Sequence, residues 1–554
     1  MIDPPAPRVT LHQFEVEYRG RHLIHAAVDH WAAQRPGDAA ILNASRGSKL
    51  TWAELQRGSV ALAAELSRMG FRKGDFLAAS LPLLNEHILL EYACFRLGVI
   101  HAPLDLRLQP AEVLRCLGLI RARGYAFHFP PLGVAVDQHC DFIEHLIQVA
   151  PPGECGVPPG PGAVSFADVM ARAASGVATV PSDVTEQDGA QVIFTTGSTG
   201  SPKPALLSHR GIACQNLCLG KAFHFTPEQR VLCNLPASHV GGQAEVLMTT
   251  LFMGGTAVTL EVFDPVKSLE AIERLGVTLI GQIPAMFQLE WRTADYGRRN
   301  LASLRTAVYG GQAVPRPFLD EMLKMAPQIS TGLGLTETSG FCTYTPLTGD
   351  AEALARGIGR AMPAYPMSIR QPMNGDGSAG AEVSAGEIGH VCFRGPQTFL
   401  GYVNDPEATA ATLAKDGWLY TGDMGRVDEH GLHFSGRAKW VLKPSGYQVF
   451  PGDVETHFST LADRVANIGV VGHPHRRWSE GIIAFVEKRP GADLTEVALR
   501  KHARSLTAYM RPLHYVILEP GAMPLNRTAK VDVVRLQELA KEEVARLRAR
   551  GRWD

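Results

Sequence analysis

Helix-like and strand-like stretches alternate along most of this chain, and that alternation narrows its fold more than any other feature. "LTWAELQRGSVALAAELSRMG" (50–70) carries apolar residues at helical spacing, with Thr51 to cap its start and Gly70 to end it. "DFLAASLP" (75–82) reads as a buried strand and "HILLEYACFRLGV" (87–99) as another helix. "AQVIFTT" (190–196), "RVLCNLP" (230–236), "TAVTLEV" (256–262), "VTLIGQIP" (277–284) and "TAVYGG" (306–311) are further strand candidates. Each apolar run ends near a polar or glycine-rich loop. Parallel α/β sheets are laid out this way, and their sites lie beyond the carboxyl ends of the strands.

The 554 residues are 45% hydrophobic, enough for about three or four domain-sized units. Composition changes near "PMNGDGSAGAEVSAGEIGH" (372–390), a glycine-rich hairpin region followed by strand-like pieces. After Arg437 the pattern is a small α+β unit ending in an amphipathic helix, with Val533, Leu536, Ala540, Val544 and Leu547 on one face. Segment 129–165, rich in proline and glycine, reads as an irregular surface excursion. The expected fold class is α/β: a large N-terminal domain of α/β sheets plus a β-rich subdomain (1–437), then a small α+β C-terminal domain (438–554). The net charge of -1 argues against nucleic acid as a partner. No signal-like start and no long apolar run are seen, so no membrane span is expected. The nine cysteines are scattered. Cys214 and Cys218 fit a pair of buried thiols at i, i+4 on a helix, in a reducing, cytoplasmic setting.

One loop carries unusual chemistry. "FTTGSTGSPKPALLSHRG" (194–211) puts Thr195, Thr196, Ser198, Thr199 and Ser201 within seven residues, while Gly197 and Gly200 allow close backbone approach. That suits a polyphosphate, and taken alone it suits a polar hairpin turn equally well. It is not a Walker loop. Pro202 and Pro204 flank Lys203 where a glycine and a metal-binding hydroxyl would be needed, and proline offers neither a backbone N–H nor a hydroxyl.

Further stretches decide between the readings. In order they are "NLPASHVGG" (234–242), "YGGQAVP" (309–315), "TGLGLTETSG" (331–340), "GWLYTGDMG" (417–425), "FSGRAKWVLKPSGYQVFPGDVE" (434–455) and "PLNRTAKVD" (524–532). Their order and spacing resemble the adenylate-forming superfamily, whose members include acyl-CoA synthetases. The resemblance covers nearly the whole chain. It implies an enzyme in which a carboxylate attacks the α-phosphorus of ATP, giving an acyl-adenylate and pyrophosphate. Such chemistry needs positioning and charge stabilisation rather than a protein nucleophile.

The resemblance implies the following roles. Thr195, Thr196, Gly197, Ser198, Thr199, Gly200 and Lys203 cradle the β- and γ-phosphates. Thr336 contacts the α-phosphate and Glu337 holds Mg2+, a hard cation that prefers carboxylate oxygen; taken alone, "LTET" also fits a capped helix N-terminus. Gly310, Gly311 and Gln312 border the adenine. Asp423 accepts from the ribose hydroxyls with help from Arg437, a pair that would otherwise read as a buried salt bridge. Lys530 reaches the acyl carboxylate and the α-phosphate. Lys439 is the hinge about which a mobile C-terminal domain rotates. In the second state Lys443 and Gly446 face the pantetheine arm of coenzyme A. His239 gates the acyl pocket; with Lys530, Thr336 and Glu337 it completes the implied catalytic set. Val240, Gly241, Gly310, Leu333 and Gly334 line the pocket, with apolar candidates around Met286 and Phe287. Three positions depart from the family pattern: Leu333 replaces an aromatic, Trp440 an acidic residue and Ala529 a glycine.

The same comparison bears on the acid. Amino-acid-activating relatives place an aspartate after the "NLP" segment, and "ASHVGGQAE" offers no anion obviously placed for an ammonium group. Acetate-activating relatives have a tryptophan where this chain has Gly334, which implies an open pocket and a medium-chain, alicyclic or aryl acid. Coenzyme A is the first acceptor, with an acyl carrier protein as the alternative. A degenerate binding protein is a third reading, opposed by the intact Lys203, Glu337, Asp423, Arg437 and Lys530. A monomer or a homodimer fits equally.

Overall fold

A computed structural model describes residues 8–128, 140–150, 162–176, 180, 183–196, 202–525 and 531–554. The first helix read from the sequence forms over Trp52–Arg68. Thr51 caps it reciprocally: its hydroxyl accepts from the Glu54 N–H at 3.2 Å and its own N–H donates to the Glu54 carboxylate at 2.8 Å. The helix Asn85–Leu97 is buried on every side from His87 onward, which explains its almost unbroken apolar sequence.

Among the described residues, two large sheets form the body of the N-terminal domain. One has seven strands in the order Gln328–Thr331, Thr306–Tyr309, Leu279–Gln282, Arg230–Cys233, Thr256–Thr259, Ala39–Asn43 and Ser48–Thr51. All neighbours are parallel except the last pair. The other sheet has eight strands, in the order Gly401–Tyr402, Pro202–Ser208, Gly189–Thr196, Ile100–Pro103, Phe76–Ser80, Gly124–Phe127, His145–Gln148 and Ala163–Ser165. Its first two pairings are antiparallel and the rest parallel. The largest apolar cluster draws on both sheets and on the helices Trp52–Arg68, Asn85–Leu97 and His209–Ala222.

The last two strands of the eight-stranded sheet correct the reading of 129–165 as wholly irregular. His145–Gln148 buries Leu146 and Ile147, and a short strand is hard to see beside proline-rich neighbours. Residues 129–139 and 151–161 lie outside the described residues.

A four-stranded antiparallel sheet follows, in the order Met367–Arg370, Gly389–Phe393, Leu419–Asp428 and Gly431–Arg437. Beyond it a three-stranded sheet, Val465–His475, Ser479–Lys488 and His514–Leu518, packs with the helices Pro451–Ser459 and Val533–Ala549. The last helix buries Leu536, Ala540, Val544 and Leu547, the expected stripe, with Val533 partly buried at its start. The fold is thus mixed α/β, with a large N-terminal and a small C-terminal domain. Cys214 and Cys218 lie one turn apart on the buried helix His209–Ala222. No helix among the described residues is long and apolar enough to cross a membrane.

Candidate functional site

The site is built at the carboxyl ends of the parallel strands. Thr306–Tyr309 and Gln328–Thr331 end side by side, tied by the Thr331 hydroxyl donating to the Tyr309 carbonyl at 2.8 Å. Gly310 follows the first strand, and a side chain there would stand 3.1 Å from the Phe341 ring. Gly332 follows the second, where a Cβ would fall 1.9 Å from the Thr343 carbonyl oxygen, so only glycine fits. Gly311 takes a left-handed φ of +96°, and Gln312 is exposed. Leu333 is partly buried against the cluster of Cys342, Tyr365 and Phe393.

"LGLTETSGF" forms a β-hairpin whose tip, Thr336–Thr338, is a single turn of 3-10 helix. Gly334 pairs with Phe341 and Leu335 with Gly340. Thr338 locks the turn: its hydroxyl accepts from the Leu335 N–H at 3.2 Å and donates to the Gly340 carbonyl at 2.7 Å. Ser339 sits in the left-handed region and its hydroxyl donates to the Gln397 carbonyl at 2.9 Å. The Phe399 N–H donates to the Glu337 carbonyl at 3.0 Å. The backbone carrying Thr336 and Glu337 is therefore fixed from both sides.

Lys203, on the strand after residues 197–201, meets this hairpin through a residue not singled out from the sequence. The strands Gly189–Thr196 and Pro202–Ser208 pair with Thr195 opposite Lys203 and Thr196 opposite Pro202. Gly197, Ser198, Thr199 and Gly200, which join them, lie outside the described residues. Lys203 Nζ stands over the Tyr402 ring at 5.2 Å from its centroid. Tyr402 Oη donates to Glu337 Oε1 at 2.6 Å. Burial, and then the neighbouring Glu337, push the Tyr402 phenol well above its usual range, so it stays a donor. Tyr402 thereby links the lysine of one motif to the carboxylate of another. The signal was present as a lone aromatic in "FLGYVND" (399–405), without a charge to mark it.

Asp423 and Arg437 face each other across the ladder of Leu419–Asp428 and Gly431–Arg437, with Nε 2.8 Å from Oδ1. Asp423 is 1% exposed, whereas Arg437 is half exposed and also donates to the Thr421 carbonyl at 3.3 Å. The carboxylate is thus held beneath the surface with a cation at its mouth.

At the other end of the hairpin, His239 is half-buried with Nε2 3.8 Å from Asp105 Oδ2. Burial opposes the charge of Asp105, but hydrogen bonds from Arg107 at 2.6 and 2.9 Å outweigh it and hold its carboxyl below the usual range. Val240 and Gly241 lead into the helical turn Gly241–Met248, which carries Glu245. A Cβ on Gly334 would stand 2.9 Å from Glu245 Oε1, and one on Gly241 3.3 Å from its Oε2. Glu245 ends the "ASHVGGQAE" stretch, and nothing local in that stretch marks its meeting with Gly334. Met286 and Phe287 are both buried, Phe287 packing in the core against Trp291 and Phe318.

The remaining expected residues lie in or beside the C-terminal domain. Lys439 is exposed on the turn Ala438–Trp440, its Nζ over the Trp440 ring at 5.0 Å. The Lys443 N–H donates to Glu480, and Gly446 adopts φ +84° in an exposed turn. Lys530 lies outside the described residues. The flanking Leu525 and Val531 form an antiparallel bridge, and the Asp532 N–H donates to the Pro524 carbonyl at 2.9 Å.

Carboxylates and a lysine gathered beyond the ends of parallel strands, beside a small C-terminal domain, are the arrangement of an adenylate-forming enzyme. Residues 28–403 match the family model of the AMP-binding enzymes and residues 453–530 that of the AMP-binding enzyme C-terminal domain, so the chain belongs to the AMP-binding enzyme family. It is an AMP-forming acid–thiol ligase. The chain is 30% identical over 530 residues to indoleacetate–CoA ligase of Aromatoleum aromaticum, covering 94% of this chain and 98% of that one. It is 29% identical over 535 residues to a 7a-methyl-1,5-dioxo-octahydro-1H-inden-4-yl propanoyl:CoA ligase of Mycobacterium tuberculosis, covering 93% and 98%. Among solved structures, ATP-bound MatB of Rhodopseudomonas palustris matches with a TM-score of 0.82 and 25% identity, over 94% of this chain and 99% of that one.

Proposed function

We propose that the enzyme activates an alicyclic, aryl or medium-chain carboxylic acid as its acyl-adenylate and transfers the acyl group to coenzyme A. The observation that carries this reading is the hairpin Gly334–Phe341. Its tip presents Glu337 toward Lys203 through Tyr402, and at its root Gly334 and Gly340 carry no side chain of their own and leave their space to Glu245. An end tied to Lys203 and an end where glycines face Glu245, one short hairpin apart, suit a polyphosphate joined to an acyl group. The two relatives named above act on an aryl and on a fused-ring acid, which supports a ring-bearing substrate here.

In this reading Lys203 and the loop hydroxyls hold the β- and γ-phosphates, and Thr336 bonds the α-phosphate. Asp423 accepts from the ribose hydroxyls while Arg437 holds its carboxylate in place. Gly310, Gly311 and Gln312 border the adenine. Glu337, a hard oxygen donor fixed by Tyr402, fits Mg2+, which would offset phosphate charge when bound. Lys530 steadies the charge that develops as the acyl oxygen attacks and pyrophosphate leaves. His239, kept in place beside Asp105, borders the acyl group, and water is excluded as the pocket fills. The second step uses another face of the small domain, taken as 438–554 and turning at Lys439, so that Lys443 and Gly446 meet the pantetheine arm. The eight described cysteines are buried and not in disulfides, which supports a reducing, cytoplasmic compartment.

The test is ATP–pyrophosphate exchange across fatty, alicyclic and aromatic acids, followed by addition of coenzyme A or a phosphopantetheinylated carrier protein. AMP and an acyl-CoA are expected. Release of ADP would overturn the reaction class, and turnover with the carrier alone would overturn the acceptor.

A further inference from the structure

The root of the hairpin holds a chemistry that an apolar pocket does not need. Glu245 is surrounded by glycines from two separate segments. Its Oε1 lies 2.9 Å from the Cβ position of Gly334, its Cγ 2.7 Å from that of Gly340, and its Oε2 3.3 Å from that of Gly241. A side chain at Gly334 or Gly340 would overlap the carboxylate unless it moved. A second polar group shares the place. Gln215 is fully buried on the helix His209–Ala222, and its Nε2 stands 3.0 Å from the same Gly340 Cβ position without a hydrogen-bond partner. Buried amide N–H groups are seldom left so, and this one lies beside the same glycine as the Glu245 carboxylate.

We propose that Glu245 is a specificity-determining residue of the acyl pocket, selecting acids that carry an N–H or O–H donor at the end remote from the carboxyl group. The inference rests on the reading of the Gly334 region as the acyl pocket. Its physical basis is hydrogen bonding. An acyl group that fills the root sets its remote end against the Glu245 side chain. A donor on the substrate adds a charge-assisted hydrogen bond to the carboxylate, whereas an alkyl group brings apolar surface against it and offers none. Sites that hydrogen-bond a substrate donor reject analogues lacking it more strongly than apolar sites reject an added hydroxyl. A phenol, an aryl amine or a ring N–H satisfies this requirement, and so does a protonated amine. A purely aliphatic tail does not.

The experiment uses the full chain and three phenylpropanoates matched in size, with a para-methyl, para-hydroxy or para-aminomethyl group. The quantity read is kcat/KM for pyrophosphate exchange. The wild type should favour the two donor-bearing acids over the methyl acid by about tenfold or more. Glu245→Leu should abolish or invert that preference. Glu245→Gln, nearly isosteric, should lose preference for the cationic acid and keep more of that for the phenol. Melting curves identify a variant that fails to fold; if Glu245→Leu does so, Glu245→Gln decides alone. Equal loss on all three acids, or an unchanged preference in a folded variant, overturns the proposal. Exchange by the wild type at one rate with all three acids also overturns it while leaving the ligase reading intact. Absence of exchange with any carboxylic acid overturns the ligase reading, and the proposal with it.

Discussion

The tip and the root of the Gly334–Phe341 hairpin are built on opposite principles. At the tip, position is set by hydrogen bonds: Thr338 and Ser339 fix the turn, Phe399 ties its backbone and Tyr402 ties Glu337. At the root, position is set by absent side chains, since Gly334 and Gly340 leave space that Glu245 enters from another segment. In the proposed reading the tip serves a chemistry common to every acid, and the root serves the particular acid. Rigid polar fixation suits the first, and space edited one methyl group at a time suits the second. Four tests probe this contrast.

The largest effect is expected at the charged end. Lys530→Ala should lose pyrophosphate exchange by ~3 kcal/mol or more in the barrier, the scale of removing a donor from developing transition-state charge. Pre-made acyl-adenylate plus coenzyme A should still give thioester. Equal loss of both half-reactions would mean that one face of the small domain serves both steps, against the rotation at Lys439.

Next comes an asymmetry in the Asp423–Arg437 pair. Arg437→Ala leaves a carboxylate that is 1% exposed without its cation. Removing one partner of a fully buried pair costs about 3–5 kcal/mol; because Arg437 is half exposed, roughly 2 kcal/mol is expected here. Asp423→Asn leaves only a guanidinium that water can reach, so it should cost less stability while still raising the KM for ATP. Chemical denaturation of both variants checks the order, and the reverse order would mean that Asp423 is better satisfied by other groups than by Arg437.

Tyr402→Phe should be comparable or milder. It keeps the ring under Lys203 and removes the donor to Glu337, and a hydrogen bond to a charged group contributes about 1.5–3 kcal/mol. If Tyr402 positions Glu337, kcat should fall and the Mg2+ concentration for half-maximal rate should rise, with the KM for the acid unchanged. A rise in the acid KM alone would place Tyr402 at the wrong end of the hairpin.

The contrast also accounts for what the sequence disclosed. Lys203, Glu337, Asp423 and Arg437 stood out because the stretches that carry them resemble those of a family whose chemistry demands particular side chains at particular places. The alternating sheets could be read because burial imposes periodicity, as in Trp52–Arg68 and Phe76–Ser80. Tyr402 escaped because an aromatic is usually core, and its partnership with Lys203 and Glu337 exists only across strands. Glu245 escaped because nothing local says that residues 241–245 and 334–340 meet. "LTET" was ambiguous for a related reason: a capped helix start and a hairpin turn both want Thr and Glu, and here a single 3-10 turn, Thr336–Thr338, sits at the tip of the hairpin that pairs Gly334 with Phe341.

The smallest effect is the most discriminating. A methyl group at position 334 would stand 2.9 Å from Glu245 Oε1, 3.2 Å from the Phe341 nitrogen and 3.3 Å from the Gly340 carbonyl carbon. The nearest of these is the movable end of a side chain, so Gly334→Ala should cost only about 1 kcal/mol, the low end for overpacking. What that cost follows is informative. If Gly334 matters only as open floor, the loss should track the bulk of the acid and be the same with or without Glu245. If its space is kept for the carboxylate, Gly334→Ala should mainly displace Glu245 and the loss should track the donor on the acid. In a Glu245→Ala background the 2.9 Å contact no longer exists, and the added methyl should be nearly silent. Residues in contact show coupling of about 0.5–3 kcal/mol in such cycles. A cycle on kcat/KM for the hydroxy and methyl acids that closes additively would detach Gly334 from Glu245 and return the root of the hairpin to a plain apolar floor.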